Sequence, residues 1–444
     1  MDFFEDTEDS KEYKYKILVY PNITFQANLE QDSFVVVIGN IIKNLREIRD
    51  DIHWTLILPK AVPSLQLDNT EQIYYQYPSY PNSMRCHFDF DEMMRLVDWK
   101  HKEWDIVYSH LPEHTLQLKN LLYNTTNCSP VFIGYTHWSE FPEITNYDQT
   151  LLDVNFLGLA EMVECGINTV GQKNLILKNA RKKFNEEFVN KLDEIIQPHY
   201  LGWEVPKYDN TAPQYGEKTI VFNHRPHEYK SYPWFIKQMD KLWEERQDFK
   251  VWVPLTDNID REYMFNGYNK TRYDYLTTLS RCRFGVCGKQ KYAGWAISAT
   301  DGMSVGVPYL FSDDDYYHEL AGESGLYFDG DNFLTMCNTM LDDTNTRSEF
   351  SKLSKSRFSQ NTWDKNIETF NKLIDKAVDN FHILREETDS YLLIKQFIID
   401  NKSVTKHDIM EDRGWGVRIN FSTYRNKLRL DPDIKFTKNR YEVR

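Results

Sequence analysis

Thr300-Asp301-Gly302-Met303-Ser304-Val305-Gly306-Val307-Pro308-Tyr309-Leu310 is the stretch on which the reading of this chain turns. An acidic residue opens a short run of small, helix-compatible residues, which Gly306-Val307-Pro308 stops before the apolar strand Pro308-Tyr309-Leu310-Phe311. Gly302 permits close backbone approach, and N–H groups at a helix start can meet a phosphate. A carboxylate at that place can accept both hydroxyls of a ribose.

Outward from this stretch the same alternation repeats. Upstream lie a strand at Thr219-Ile220-Val221-Phe222, a helix over 232–246 and a strand at Lys250-Val251-Trp252-Val253. A helix over 272–281 then leads into Arg283-Phe284-Gly285-Val286-Cys287-Gly288. Downstream come a strand at Leu326-Tyr327-Phe328 and a closing helix over 363–380, with Trp363, Ile367, Phe370, Leu373, Ile374, Ala377 and Val378 on one face. The first half repeats the scheme. Strands are expected at Tyr15–Tyr20, Trp54–Leu58, 105–108, 131–134 and 164–170, with helices around Phe34–Ile42, 113–123, 149–160 and 173–184. Near-continuous apolar strands alternating with helices predict a parallel sheet covered on both faces. Between Leu201 and Lys218 the pattern lapses into Gly, Pro, Tyr and Asn, as a linker does. The organisation read here is an acidic tail (1–14), a doubly wound domain (15–202), a linker (203–218), a second doubly wound domain (219–384) and a small C-terminal domain (385–444).

The chain has 444 residues, enough for two or three domains with proper cores, and its 41% apolar content excludes general disorder. The net charge of −14 argues against uniform coating of nucleic acid or a membrane. The acidic first residues do not resemble a signal peptide, and no stretch approaches about 18 consecutive apolar residues. Six scattered cysteines without a C-x-x-C pair fit reduced thiols better than a disulfide framework or a zinc site. A cytoplasmic protein with no membrane partner is expected (the host cytoplasm, if a phage encodes it). Asp89-Phe90-Asp91, Asp313-Asp314-Asp315 and Asp329-Gly330-Asp331 match a D-x-D metal pattern, but three hits in an acidic chain read as chance, and no metal is expected.

Residues 391–444 carry twelve basic and seven acidic residues, a charge of +5 that leaves −19 for the remainder. Tyr391, Ile394, Phe397 and Ile398 form the stripe of one helix, Thr405-x-x-Asp408 is a capping box for a second, and Ser422 opens a short third before Pro432. Ile434-Lys435-Phe436-Thr437, Asn439-Arg440 and Tyr441–Arg444 read as a basic hairpin. Three helices and a hairpin are the plan of a winged helix-turn-helix. DNA contacts are then expected from Lys406, from Tyr424, Arg425 and Lys427 on the third helix, and from Lys435, Lys438 and Arg440 on the wing. A small protein-docking domain with solvated cations is the alternative.

With the 300–310 stretch, the body resembles the GT-B glycosyltransferases, particularly the retaining, nucleotide-sugar-dependent kind. The resemblance implies two Rossmann-like domains, the first on the acceptor side and the second binding the nucleotide sugar. Asp301 stands where that family has a ribose-binding Glu, and Gly302, Met303 and Ser304 join it as donor-binding residues. The family's other Glu, eight residues earlier, is here Ala293. Asn223-His224-Arg225-Pro226 and Tyr229-Lys230 resemble the family's Arg…Lys pair, whose cations neutralise the diphosphate as it leaves. Gly134-Tyr135-Thr136-His137-Trp138 places His137 where the family often has a His facing the donor sugar and acceptor, and Glu140 is a weaker acid/base candidate. His137, Arg225 and Lys230 are therefore the expected catalytic residues, with a UDP-sugar as donor substrate and no tightly bound cofactor.

A sugar-transferring body beside a basic winged helix resembles the phage DNA-modifying glucosyltransferases. The resemblance implies transfer of glucose from UDP-glucose to a 5-hydroxymethylated pyrimidine in double-stranded DNA, with retention and with the target nucleotide flipped out of the stack. Two alternatives stay open: a GT-B enzyme building a surface or lipid-linked glycan, with the tail as a protein-docking module, and a DNA-binding regulator that senses a nucleotide sugar.

Overall fold

Tyr15–Tyr20 (YKILVY) is β-branched and aromatic, and every residue but Lys16 is buried, the signature of a strand covered on both faces. This strand, β1, organises the first sheet of the computed structural model. The structure describes residues 13–21, 33–59, 64–67, 70–75, 88–126, 128–137, 149–211, 218–290, 295–412, 424, 427–429, 431–437 and 440–444. With β2 (Ile52–Pro59), β3 (Thr70–Tyr75), β4 (Ile106–Ser109), β5 (Val131–Thr136), β6 (Glu164–Ile167) and β7 (Ile196–Pro198), β1 forms a seven-stranded sheet in the order β3-β2-β1-β4-β5-β6-β7. All its pairings are parallel.

The second sheet comprises β8 (Lys218–Val221), β9 (Phe249–Trp252), β10 (Met264–Phe265), β11 (Phe284–Cys287), β12 (Tyr309–Ser312) and β13 (Gly325–Phe328). Its order is β10-β9-β8-β11-β12-β13, again all parallel. Both sheets are doubly wound. In each the order reverses beside the first strand, between β1 and β4 and between β8 and β11, and the crevice above such a reversal is where these sheets take ligands. The short strands β3, β7 and β10 and the helix Glu186–Ile195 were not expected; β3 (TEQIYY) carries a half-buried polar face, and β10 has only two residues.

The chain divides into two compact units, 1–377 and 378–444. Within the first, the two sheets form lobes joined twice. Trp203 pairs with Thr362, and Gly202 lies so close to Trp363 that a Cβ there would come within 2.4 Å of its ring. The helix Trp363–Asn401 then returns to the first lobe: Arg49 bonds Asn371 and Asp375 at 3.1 and 2.8 Å, and Lys376 meets Glu164 at 2.5 Å. That helix corrects the expected end at 380. It runs 39 residues without a Gly or Pro to stop it, through the expected domain boundary at 384/385.

In the second unit, the end of this helix is followed by β14 (Ser403–Thr405), the helix Lys406–Asp412, helical residues at 424 and 427–429, β15 (Ile434–Thr437) and β16 (Arg440–Val443). The strands form an antiparallel sheet in the order β14-β16-β15. Ile394, Ile398, Val404, Ile409, Tyr424, Leu428, Ile434 and Tyr441 make its core. The Thr405–Asp408 capping box is present in both directions, Thr405 N–H to Asp408 Oδ2 at 2.7 Å and Asp408 N–H to Thr405 Oγ1 at 3.2 Å. Among the described residues no helix is long and apolar enough to cross a membrane.

Candidate active site

The loop after β8 begins with two buried side chains that fasten it to the sheet. Asn223 Nδ2 donates to the Ser298 carbonyl (2.7 Å) and the Tyr275 hydroxyl (2.8 Å), and its Oδ1 accepts from Tyr309 (3.0 Å). The His224 ring lies between Ser298 Oγ (2.6 Å) and Cys287 Sγ (3.0 Å), and burial pushes its pKa down to about 3, so it is neutral at physiological pH. With these two anchored, Arg225 emerges exposed at the loop tip beside the Tyr229 phenol. A single turn, Glu228–Lys230, then brings Lys230 back over the sheet, and Ser231 adopts a left-handed backbone (φ 60°) before the helix Tyr232–Glu245.

Gly288, just after β11, lets the two loops at the strand-order reversal touch. A Cβ there would lie 2.8 Å from that of Ser231. Across this contact Lys230 Nζ donates to Gln290 Oε1 and lies 5.2 Å from the Tyr229 ring centre. Burial, helped by the positive charge of Arg225, lowers the Lys230 pKa from its ordinary value to about 8. Arg225 and Lys230 thus share the loop at the carboxyl end of β8, close enough for the one charge to act on the other.

Asp301 lies elsewhere in its helix than the sequence suggested. The helix is Ile297–Ser304, so Asp301 sits in its second turn rather than at its start. Gly302, Met303 and Ser304 are consequently inside or at the end of the helix, and their N–H groups are not the open first-turn donors expected of them. Gly302 packs on Tyr309, whose ring a Cβ would meet at 2.2 Å; Met303 is fully buried; Ser304 Oγ donates to the Asp301 carbonyl at 2.6 Å. These three serve packing and the helix's own hydrogen bonding. Asp301 itself is held by Arg272, whose Nη2 and Nη1 reach Oδ1 and Oδ2 at 2.6 and 3.0 Å, and the Tyr275 hydroxyl is 3.3 Å from Oδ2. Ala293 and Glu140 lie outside the described residues.

In the first lobe His137 follows β5, half-buried, and burial lowers its pKa to about 3. Its carbonyl accepts from Asn168 Nδ2 and Gln172 Nε2, both at 3.0 Å, which fixes the backbone that carries the ring. His110, after β4, lies 6.0 Å from it between ring centres and is driven well below the ordinary histidine pKa by burial and by His137. Two neutral imidazoles thus stand at the carboxyl ends of adjacent strands. His110 was missed in the sequence; its place directly after the apolar strand Ile106–Ser109 is the signal that marks it.

The lobes also meet through Glu319 of the helix Asp315–Ala321. Its carboxylate accepts from the N–H groups of Val170 (2.8 Å) and Gly171 (2.9 Å), the first turn of the helix Val170–Ala180, and from the Tyr200 hydroxyl (3.2 Å). The acidic triplets have local uses. Asp89 caps the helix Phe90–Leu96, Asp329 accepts from the N–H groups of Asp331 and Asn332, and Asp314 accepts from Ser312 Oγ.

In the 378–444 unit, Lys406, Lys427 and Lys435 are exposed, as is Arg440, whose guanidinium bonds Ser403 Oγ and its carbonyl. Tyr424, expected to face a DNA groove, is 8% exposed and belongs to the core, because its helix needs an apolar anchor beside Leu428. Arg425 and Lys438 lie outside the described residues.

No protein-family profile matches the sequence, and no curated protein matches it either. Solved structures do resemble it in fold. Anabaena HepE in complex with UDP and glucose aligns at a TM-score of 0.58 and 13% identity, over 82% of this chain and 99% of that one. The α,α-trehalose-phosphate synthase (UDP-forming) of Burkholderia vietnamiensis aligns at 0.58 and 10%, over 83% and 98%. The N-terminal domain of the Candida albicans trehalose-6-phosphate phosphatase aligns at 0.58 and 9%, over 82% and 98%. At such identities the likeness shows the fold: two doubly wound lobes of the GT-B kind.

Proposed function

We propose that this chain is a glycosyltransferase that takes a sugar from a nucleotide diphosphate-sugar, with UDP-glucose as donor, and transfers it to the hydroxyl of a 5-hydroxymethylated pyrimidine in double-stranded DNA. The observation that carries the donor half is the convergence of Arg225 and Lys230 above the β8/β11 reversal. Two cations there suit a diphosphate. The structures that share the fold support the choice of donor, since the HepE complex contains UDP and glucose.

In this reading Arg225 and Lys230 bind the diphosphate and Asp301 the ribose hydroxyls. As the bond between the anomeric carbon and the diphosphate breaks, charge grows on the leaving oxygens, and the two fixed cations stabilise that state more than the bound donor. The acceptor oxygen bonds to the anomeric carbon and gives up its proton to an oxygen of the departing diphosphate. His137, neutral and fixed by its own carbonyl, is suited to hydrogen-bond the sugar or orient the acceptor hydroxyl, not to act as a cation. Retention of configuration is the outcome the resemblance implies.

The acceptor half rests on the tail. Its β14-β16-β15 sheet and the helices before it support reading it as a winged helix, and Lys406, Lys427, Lys435 and Arg440 supply exposed cations. Phosphate contacts from these residues would make DNA affinity salt-dependent. One observation favours the protein-docking alternative: Lys395 is already paired with Asp431 (3.1 Å) and Asp433 (2.8 Å), which reduces the positive field.

The test incubates the full chain with labelled UDP-glucose and two duplexes, one hydroxymethylated at cytosine and one unmodified. Label entering only the hydroxymethylated duplex is the expected result. UDP release without transfer to DNA would keep the donor and replace the acceptor. DNA binding with neither transfer nor UDP release would favour the nucleotide-sugar-sensing regulator.

A further inference from the structure

Several lysines of this acidic chain are held by carboxylates. Lys218 bridges Asp248 and Asp342, and Lys395 bridges Asp431 and Asp433, and in both cases the paired acids raise the lysine's pKa. Lys230 is held by a neutral amide. The groups that face it are the Gln290 carbonyl oxygen, the Tyr229 ring, the Arg225 guanidinium, the Cys287 thiol and the neutral His224 ring. Among the described residues no carboxylate acts on it.

The orientation of that amide is dictated by proton counting. The Tyr317 hydroxyl has one proton, and it goes to the Gly288 carbonyl at 2.9 Å. Toward Gln290 the same oxygen can only accept, so the Gln290 NH2 group must face it, at 2.7 Å. The Gln290 main-chain N–H is anchored in turn to the Tyr316 hydroxyl at 2.8 Å, and that hydroxyl turns its proton toward Asp314 at 3.3 Å. Gln290 is therefore held at two points and buried, and among the described residues its side-chain carbonyl oxygen meets Lys230.

We propose that Gln290 is a positioning residue for Lys230: it aims the ammonium over the strand-order reversal through a neutral acceptor, so that the positive charge stays uncancelled for the donor diphosphate. A glutamate of the same length would reach Lys230 equally well. It would cancel the charge, and it would turn an oxygen toward Tyr317 where the network requires a donor. The inference rests on the diphosphate site proposed above and names the residue that makes one of its cations usable.

The test compares wild type with Gln290→Glu and Gln290→Met. Titration of Lys230 is followed by NMR after 13C-methylation of the lysines, assigned through Lys230→Met, and UDP-glucose affinity is measured by calorimetry at pH 7. Gln290→Glu is expected to raise the Lys230 titration midpoint by a unit or more and to weaken UDP-glucose at least tenfold. Gln290→Met, which removes the acceptor without adding charge, is expected to leave the midpoint at or below the wild-type value and to weaken binding less. An unchanged midpoint in Gln290→Glu, or equal weakening by both variants, would reduce Gln290 to a packing residue and overturn the proposal. If the midpoint moves but Lys230→Met binds UDP-glucose as wild type does, the diphosphate site itself is misplaced, and the purpose assigned to Gln290 falls with it.

Discussion

Arg272 grips both carboxylate oxygens of Asp301, at 2.6 and 3.0 Å, so the acid proposed to bind ribose is already aimed before any donor arrives. A carboxylate has about four lone-pair directions, so two hydroxyls can be accepted without breaking the pair. Arg272→Ala would leave a mostly buried carboxylate without its counter-charge. A stability loss of about 1–3 kcal/mol is expected, tempered by the partial exposure of Arg272. Arg272→Lys should recover only part of it, because an ammonium cannot grip both oxygens. Urea midpoints of the two variants check this, and equal stabilities for wild type and Arg272→Ala would refute it.

The lowered pKa of Lys230, about 8, sets a pH dependence for donor binding. Below that value the ammonium is present; above it the charge is lost, while Arg225 remains charged. UDP-glucose, whose diphosphate does not titrate in this range, should bind with constant affinity from pH 6 to 7 and several-fold more weakly by pH 9.5. Lys230→Arg should flatten the profile. Calorimetric titrations across the range are the measurement.

Three histidines with depressed pKa values give the fold an acid limit. His137 and His224 have pKa values near 3, and His110 is also driven well below 6.5, all chiefly by burial. Between those depressed values and about 6.5 the unfolded chain binds protons that the folded chain refuses, so stability rises with pH through this window and is lost as pH falls below about 6.5. Tm should drop steadily between pH 7 and pH 5, and less steeply in His224→Asn. The same values imply that no histidine ionisation from His137 shapes the pH–rate profile between pH 5 and 8.

Glu319 fastens the second lobe to the first turn of a helix in the first lobe. Glu319→Ala removes an acceptor from two N–H groups that water can then solvate, so the expected stability cost is about 1 kcal/mol. The larger effect should be on shape. The radius of gyration in solution scattering should increase as the lobes separate, and a donor analogue should reverse part of the change. An unaltered scattering curve would show that the contact does not hold the lobes together.

How far the sequence carried can be judged residue by residue. The strands at Tyr15–Tyr20, Lys218–Val221, Phe284–Cys287 and Tyr309–Ser312 were legible because each is a short apolar run bounded by turn residues, and their alternation with helices dictated parallel, doubly wound sheets. Arg225 and Lys230 could be placed on one loop because they follow such a strand directly. The short or half-polar strands β3, β7 and β10 carry too little periodicity to stand out from loops.

The local code also misplaced a boundary by a turn. Asp301 looked like the start of a helix because small residues follow it. The actual start at Ile297 is set by Asn223 gripping the Ser298 carbonyl and by His224 holding the Ser298 hydroxyl. The Tyr424 side chain likewise went to the core because the small C-terminal unit has few apolar residues with which to build one.

By itself, then, the sequence determined the sheets, their parallel sense and which loops carry charge, since those follow from hydrophobic period and turn chemistry within a dozen residues. The tertiary structure alone decided the partners: Asp301 with Arg272 29 positions away, Lys230 with Gln290 60 away, Glu319 with Val170 149 away. Such pairings are created only when strand order folds distant loops onto one edge, and no local periodicity encodes which side chains will then meet.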